Sequence, residues 1–97
     1  MTPEARFEQL LEQLATHAGL SPIGAGILSA LHTGLAENSR SFASKLGLAH
    51  ALVLRECVAL AEEAGLIIAE DRGERSQRLH LSLTASGEAL LARAHRP

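Results

Sequence analysis

The sequence predicts a mainly α-helical domain that carries one small β-hairpin in its C-terminal half. Apolar residues recur at helical spacing from the N-terminus to beyond the middle of the chain. The spacing then changes to two, because Leu79, Leu81 and Leu83 alternate with polar residues. A polar segment over residues 71–76 separates this run from the β-prone residues 66–69, as in a hairpin. The predicted element order is α-α-(β)-α-α-β-β-α, and the 97 residues leave room for one domain.

Two helices are predicted in the N-terminal part of the chain. The first spans about residues 2–18 and has a proline in its first turn, where a missing N–H group is tolerated. Ser21 is a suitable N-cap for the second helix, and Gly34 ends it. Both helices carry an apolar stripe, and the stripe of the first contains Phe7, Leu10, Leu11, Leu14 and Ala18.

Two further helices are predicted around a glycine turn. An extended link over residues 35–37 leads into a short third helix, which Asn38 or Ser39 caps. Gly47 ends this helix, and the fourth helix runs from about residue 49 to residue 64. A short helix, a tight turn and a longer helix are together typical of a helix-turn-helix. The predicted buried side of the fourth helix consists of Leu54, Cys57, Val58 and Ala61.

The composition excludes several classes of protein. The single cysteine, Cys57, excludes a disulfide framework within one chain and a cysteine-based zinc cluster. No apolar run approaches the ~18–20 residues that cross a bilayer, and the N-terminus does not have the pattern of a signal peptide. The five histidines lack metal-ligand spacing, and no nucleophile is paired with a base. We therefore expect a cytoplasmic protein without membrane contact, metal, cofactor or catalytic residues.

Three segments follow one another in an order and spacing that belong to one family. Residues 41–48 (Ser-Phe-Ala-Ser-Lys-Leu-Gly-Leu) look like the first helix and the turn of a winged helix-turn-helix. Residues 60–67 (Leu-Ala-Glu-Glu-Ala-Gly-Leu-Ile) look like the end of its recognition helix and the entry into its wing. Residues 81–91 resemble its last strand and the Leu-Thr-x-x-Gly start of the next helix, with Gly87 as the glycine. From about residue 23 to residue 94 the sequence therefore resembles the MarR-type winged-helix transcriptional regulators.

The resemblance to MarR regulators implies a bacterial homodimer that binds double-stranded DNA at a pseudo-palindromic operator. In that family the N-terminal and C-terminal helices form the dimer interface, which corresponds here to about residues 2–18 and 84–96. The short chain also favours oligomerisation, since a small domain buries a limited share of its surface. The chain is shorter than usual members of the MarR family, so the resemblance identifies no effector ligand. Shorter winged-helix dimers of the PadR or ArsR type are also similar in outline. The residues expected in the dimer interface are Phe7, Leu10, Leu11, Leu14, Leu90 and Leu91.

The same resemblance implies DNA contacts from three elements. On the recognition helix, Arg55 is suited to a guanine edge and His50 to a base or a phosphate, whereas Leu52 can meet only a thymine methyl group. Glu56 and Ala59 share this outward face, and Glu56 repels phosphate unless it accepts from a cytosine or pairs with Arg55. Wing arginines approach the minor groove, and the helix before the recognition helix contacts phosphates. The residues expected to contact DNA are Arg40, Ser41, Ser44, Lys45, His50, Ala51, Leu52, Arg55, Arg72, Arg75 and Arg78.

The net charge of −2 hides a segregation of charge along the chain. Residues 39–55 hold three basic side chains and no acidic one, whereas residues 56–71 hold five acidic side chains and no basic one. This pattern favours a basic face that binds DNA with modest non-specific affinity. Two alternatives stay open. Ala51 and Leu52 are also compatible with a winged-helix protein-interaction module without DNA binding. The wing arginines are also compatible with a solvated rim of the hairpin that contacts no DNA.

Overall fold

The structure is a computed structural model, and it describes residues 2–73, 75 and 77–94. Within these residues the chain forms five α-helices, one π-helical turn and one antiparallel hairpin. The predicted fold class, mainly helical with a small hairpin, is confirmed. The elements are α1 (Pro3–His17), α2 (Pro22–Thr33), α3 (Ser39–Leu46), α4 (His50–Val58), the π-helical turn (Ala59–Glu63), β1 (Ile67–Asp71), β2 (Leu79–Leu83) and α5 (Ala85–Ala94).

The hairpin, called the wing below, is extended by a single bridge from the segment between α2 and α3. β1 and β2 pair antiparallel along their whole length. On the other edge of β2, Asn38 forms an antiparallel bridge with His80, and the Leu81 N–H donates to the Glu37 carbonyl over 3.0 Å. The predicted strand over residues 35–37 is therefore reduced to this bridge, which attaches the wing to the start of α3.

The hydrophobic core surrounds α2. This helix is buried continuously from Gly24 to Ala30, because α1, α4, α5 and β2 all pack against it. Each helix and each strand contributes apolar side chains to the core. The buried core residues are Leu10, Leu14, Ala25, Ile27, Leu28, Ala30, Ala36, Phe42, Ala43, Val53, Cys57, Leu60, Ile67, Leu81 and Leu91.

The buried side of α4 differs from the prediction at Val58. Val53 and Cys57 are fully buried, and Leu60 continues the same stripe in the π-helical turn. These positions are spaced i, i+4 and i+7, so they define one helical face. Val58 lies outside this face and is 46% exposed. The prediction that Val58 belongs to the core is therefore wrong, whereas the predicted burial of Cys57 is confirmed.

The base of the wing is held against α5 by a close backbone contact. The Thr84 Oγ1 caps α5 by accepting from the Gly87 N–H over 3.0 Å, and it donates to the Gly65 carbonyl over 2.7 Å. The Thr84 N–H donates to the Leu66 carbonyl over 3.1 Å. A Cβ atom at Gly87 would lie 2.1 Å from the same carbonyl oxygen, so only glycine fits. The Leu-Thr-x-x-Gly pattern thus marks the point where α5 packs against the chain entering β1.

The two terminal helices pack within the chain, since α1 lies against both α2 and α5. Three side chains expected in a dimer interface are buried in this chain's own core, namely Leu10, Leu14 and Leu91. The other three are half-buried at its edge, namely Phe7, Leu11 and Leu90. In this conformation only the half-buried set is accessible to a partner. The part of the predicted C-terminal helix beyond Ala94 lies outside the described residues.

Candidate nucleic-acid interface

α3, a glycine turn and α4 form a helix-turn-helix. Asn38 caps α3, because its Oδ1 accepts from the Ser41 N–H over 2.8 Å and the Ser41 side chain completes a capping box. α3 ends at Gly47, whose φ of 66° lies in the left-handed region that favours glycine. The N-cap of α4 is Ala49, which forms no side-chain hydrogen bond. The start of α4 is therefore held by other contacts.

The outward face of α4 carries Arg55 between small apolar side chains. Ala51 and Arg55 are exposed, as predicted, and Leu52 is half-buried at the edge of this face. Val58 also lies on this outward face, whereas the sequence predicts that Val58 belongs to the core. The signal was the spacing of Ala51, Arg55 and Val58 at i, i+4 and i+7. A guanidinium group beside methyl groups can read a guanine edge and neighbouring thymine methyls.

Glu56, the acidic residue of α4, is tied back to the start of α2. The Ser21 hydroxyl donates to Glu56 Oε1 over 3.0 Å, and Ser21 Oγ accepts from the Gly24 N–H over 3.0 Å. The N-terminus of a helix favours a negative charge through its unpaired N–H groups. Glu56 is half-buried. The carboxylate of Glu56 is thus directed to the start of α2, at the edge of α4. Its partner there is Ser21, whereas the sequence allows pairing with Arg55.

A buried hydrogen-bond chain joins the start of α4 to α3 and to the wing. Ser39 is fully buried, and its Oγ accepts from the Leu79 N–H over 2.8 Å. The same oxygen lies 2.8 Å from His50 Nε2. Partial burial, together with the positive charge of Arg40, lowers the pKa of His50 from its usual value. His50 Nε2 is therefore engaged within the protein, although the sequence predicted that this ring contacts a base or a phosphate.

The phosphate contacts predicted on α3 divide into two groups. Arg40, Ser44 and Lys45 are exposed. Ser41 is half-buried, and its hydroxyl donates to the Asn38 carbonyl over 3.0 Å as part of the cap of α3. The exposed polar side chains of α3 that suit a phosphate are therefore those of Arg40, Ser44 and Lys45.

The three wing arginines differ in their surroundings. Arg72 Nε donates to the carboxylate of Glu70, and both side chains are exposed. This hydrogen bond and the charge of Arg72 lower the pKa of Glu70 from its usual value. Arg78 is half-buried, whereas Arg75 is exposed in the turn between the strands. Arg75 is therefore the wing arginine best suited to approach a second surface.

Phe7 on α1 lines a groove of this chain. The groove has a volume of about 330 Å³ and lies between α1, α3 and the segment that follows α2. Its walls combine apolar side chains such as Leu46 with the charged groups of Glu4, Glu8 and Lys45. Phe7 therefore has a surface to cover within its own chain.

The histidine, cysteine and carboxylate side chains form no metal cluster in the part of the chain that the structure describes. Burial, and secondarily the charge of Glu56, raises the pKa of the Cys57 thiol to about 12. The thiol therefore stays protonated and is a poor nucleophile. None of the helices over the described residues combines the length and the apolar character that crossing a bilayer requires.

Comparison with known proteins identifies a relative in structure. At the level of sequence, the chain matches no protein-family model and no curated protein. Its structure is similar to the crystal structure of the transcriptional regulator BldR from Sulfolobus solfataricus, with a TM-score of 0.65. The match covers 94% of this chain at 16% identity, and the chain spans 64% of the length of BldR. The likeness is one of fold, and it agrees with the winged-helix arrangement of helices and hairpin described above.

Proposed function

We propose that this chain is a cytoplasmic, MarR-like regulator that binds double-stranded DNA sequence-specifically as a homodimer. The observation that carries the proposal is the exposed Arg55 on the outward face of α4, the second helix of the helix-turn-helix. An arginine at this place can donate two hydrogen bonds to a guanine in the major groove. The similarity of the fold to that of BldR supports the same interpretation.

Basic side chains around α4 support the electrostatic part of DNA binding. Arg40, Lys45 and Arg55 give residues 39–55 a local charge of +3, because no acidic residue lies among them. Glu56, the next acidic residue, is bonded to Ser21. A basic surface of this kind attracts phosphates and releases counterions on binding. α3 would contact the backbone, α4 would read bases in the major groove, and the wing would approach the minor groove.

Two half-buried leucines on the terminal helices support a homodimer. Leu11 lies on α1 and Leu90 on α5, both at the edge of the core. A groove of about 170 Å³ lies beside Leu90, between the end of α1 and α5, and offers space for an apolar side chain of a partner. A twofold dimer through these helices would set two copies of α4 about one turn of DNA apart.

Duplex binding at a series of salt concentrations tests the proposal. A pool of random-sequence duplexes first selects the preferred site. The wild-type chain is then titrated with that site and with a scrambled duplex of the same length. We expect the logarithm of the affinity to fall with the logarithm of the salt concentration, with a slope of about −0.9 for each phosphate contacted. Absence of binding to any duplex at low salt contradicts the proposal.

Two arginine variants and one control separate base reading from phosphate contact. We expect Arg55→Ala to lower the affinity for the selected site by ~1–3 kcal/mol more than that for the scrambled duplex. Arg75→Ala is expected to weaken binding to both duplexes equally and to flatten the salt slope by about 0.9. Arg6→Ala on α1 removes the same charge from an exposed position that lies in neither the helix-turn-helix nor the wing, and is the matched control. An unchanged preference in Arg55→Ala contradicts the role of α4 in reading bases.

A winged-helix protein-interaction module without DNA binding is the second candidate function. Exposed apolar side chains favour it, since Val58 on α4 is 46% exposed and Ile68 on β1 is 56% exposed. Such side chains are the usual anchors of a protein interface. This candidate replaces the first if the wild-type chain binds no duplex at low salt and captures a protein partner that Val58→Asp loses.

A further inference from the structure

One buried hydroxyl group joins the starts of three elements of the candidate interface. Ser39 is the first residue of α3, His50 is the first residue of α4, and Leu79 is the first residue of β2. The Ser39 oxygen lies 2.8 Å from the Leu79 nitrogen and 2.8 Å from His50 Nε2. Ser39 is fully buried, so water does not reach its oxygen, whereas His50 and Leu79 are half-buried. Ser39 therefore links the start of α4 to the first residue of the wing strand β2.

The directions of these bonds define the protonation state of His50. A backbone N–H can only donate, so the Ser39 oxygen accepts from Leu79. The Ser39 hydroxyl hydrogen then needs an acceptor, and within the described residues His50 Nε2 is in place to accept it. This direction of the bond requires a neutral His50 with its proton on Nδ1. A protonated imidazole would donate to the same oxygen, and the buried hydroxyl hydrogen would lose its acceptor.

The start of α4 depends on this bond more than the start of α3 does. α3 has its own capping box at Asn38, whereas the N-cap of α4, Ala49, forms no side-chain hydrogen bond. The wing is attached to α3 a second time, through the bridge between Asn38 and His80. Loss of the bond between Ser39 and His50 would therefore leave α3 and the wing joined, and would leave the start of α4 less fixed against both, while Val53 and Cys57 still hold the helix in the core.

We propose that His50 is a positioning residue, which acts through Ser39 to hold α4 in a fixed orientation to the wing, and that its Nε2 does not contact DNA. The inference rests on the DNA-binding function proposed above. A winged helix binds with one helix in the major groove and the wing on the neighbouring backbone or minor groove. A start of α4 that is less fixed would therefore lower the affinity although every DNA-contacting side chain is still present.

Acid gives opposite effects for a positioning histidine and a contacting one. A histidine that contacts phosphate gains a positive charge on protonation and binds DNA more tightly. His50 as a positioning residue loses its bond to the Ser39 hydroxyl when it is protonated. Its contribution to DNA affinity is therefore present above the pKa of His50 and is lost as the pH falls through that value. Burial and Arg40 on α3 lower this pKa. Arg78 and His80 flank Leu79 on the wing, so the pH effect of His50 is measured as the difference in affinity between the wild type and a His50 variant that does not titrate.

Duplex binding by the wild type and four variants tests the inference. His50→Gln places an amide oxygen near the position of Nε2 and does not titrate, so we expect wild-type affinity at neutral pH and no loss in acid. His50→Leu and Ser39→Ala are each expected to bind about tenfold more weakly, the scale of one lost buried hydrogen bond. Their combination should bind no more weakly than either one, because both break the same bond. Relative to His50→Gln, the wild type should lose affinity in mildly acidic buffer.

Three results would overturn the inference. Wild-type affinity that rises in acid relative to His50→Gln assigns His50 to a phosphate contact. Wild-type affinity in Ser39→Ala, or a loss in His50→Gln as large as in His50→Leu, shows that the bond does not position α4. If the wild type binds no duplex, the proposed function fails instead. Amide exchange at Leu79 then decides whether Leu79 donates to Ser39 at this junction, since the amide should be protected in the wild type and unprotected in Ser39→Ala. Circular dichroism reports that each variant is folded.

Discussion

The two ends of strand β2 are fixed in different ways. At the C-terminal end, the carbonyl of Leu66 packs directly against Gly87 and accepts from the Thr84 N–H. At the N-terminal end, the buried Ser39 accepts from the first N–H of the strand and bonds to His50. The first junction rests on a backbone contact at a residue that has to be glycine, and Thr84 adds hydrogen bonds to it. The second rests on hydrogen bonds to the Ser39 side chain. A steric junction leaves a pattern in the sequence, and a hydrogen-bonded junction between ordinary polar residues does not.

Gly87→Ala should produce the largest loss of stability, because it breaks the steric junction. Its Cβ would lie 2.1 Å from the Leu66 carbonyl oxygen and 3.2 Å from the carbonyl carbon. These are backbone atoms, so either α5 or the chain entering β1 has to move. We expect the free energy of unfolding to fall by about 3 kcal/mol, the upper part of the range for overpacking. Urea denaturation followed by circular dichroism measures this change.

Gly26→Ala is the matched control, since Gly26 is also a buried glycine within a helix. Its Cβ would meet a ring carbon of Phe42 at 3.4 Å, which is ordinary van der Waals contact. Alanine also favours the helix by ~1 kcal/mol relative to glycine. The control should therefore be as stable as the wild type or up to about 1 kcal/mol more stable. Equal losses in the two variants would contradict the steric explanation of Gly87.

Thr84→Ala should have the next largest effect, because it removes the hydrogen bonds of the same junction and leaves the glycine in place. The variant loses the acceptor for the Gly87 N–H and the donor to the Gly65 carbonyl. Removal of an N-cap side chain of this kind lowers the free energy of unfolding by about 1–2 kcal/mol. Thr84→Ser keeps the hydroxyl and should restore most of this stability in the same measurement. A serine variant as unstable as the alanine variant would assign the effect to the lost methyl group.

The element order was predictable from the sequence because it depends on local signals. Apolar spacing distinguishes the helices from the wing, and cap residues such as Ser21, Gly34, Gly47 and Thr84 lie at the element ends. These signals act over a few residues, so a single sequence contains them. The helix-turn-helix and the wing follow from their order. The outward positions of Ala51 and Arg55 follow from the same periodicity.

Other features of the candidate site were not predictable because they depend on distant or ambiguous contacts. Ser39 and Leu79 are forty residues apart in the sequence, so no local spacing indicates their bond. Val58 was assigned to the core because a short helix with many apolar residues permits more than one buried stripe, and a π-helical turn follows it directly. Leu10 on α1 belongs to an apolar stripe that looks the same whether it covers its own core or a partner.

Ser29→Ala should have the smallest effect, and with Ser39→Ala it measures what the hydrogen-bonded junction contributes. Both serines are fully buried, but Ser29 Oγ has no hydrogen-bond partner among the described residues. Its removal breaks no bond, so the free energy of unfolding should stay unchanged or rise by up to about 1 kcal/mol. Ser39→Ala leaves the Leu79 N–H and the His50 ring nitrogen without this partner, and both residues are half-buried. The variant should therefore lower the free energy of unfolding by about 1 kcal/mol. Similar losses in the two variants would mean that burial of a hydroxyl, and not its bonds, fixes the N-terminal end of β2.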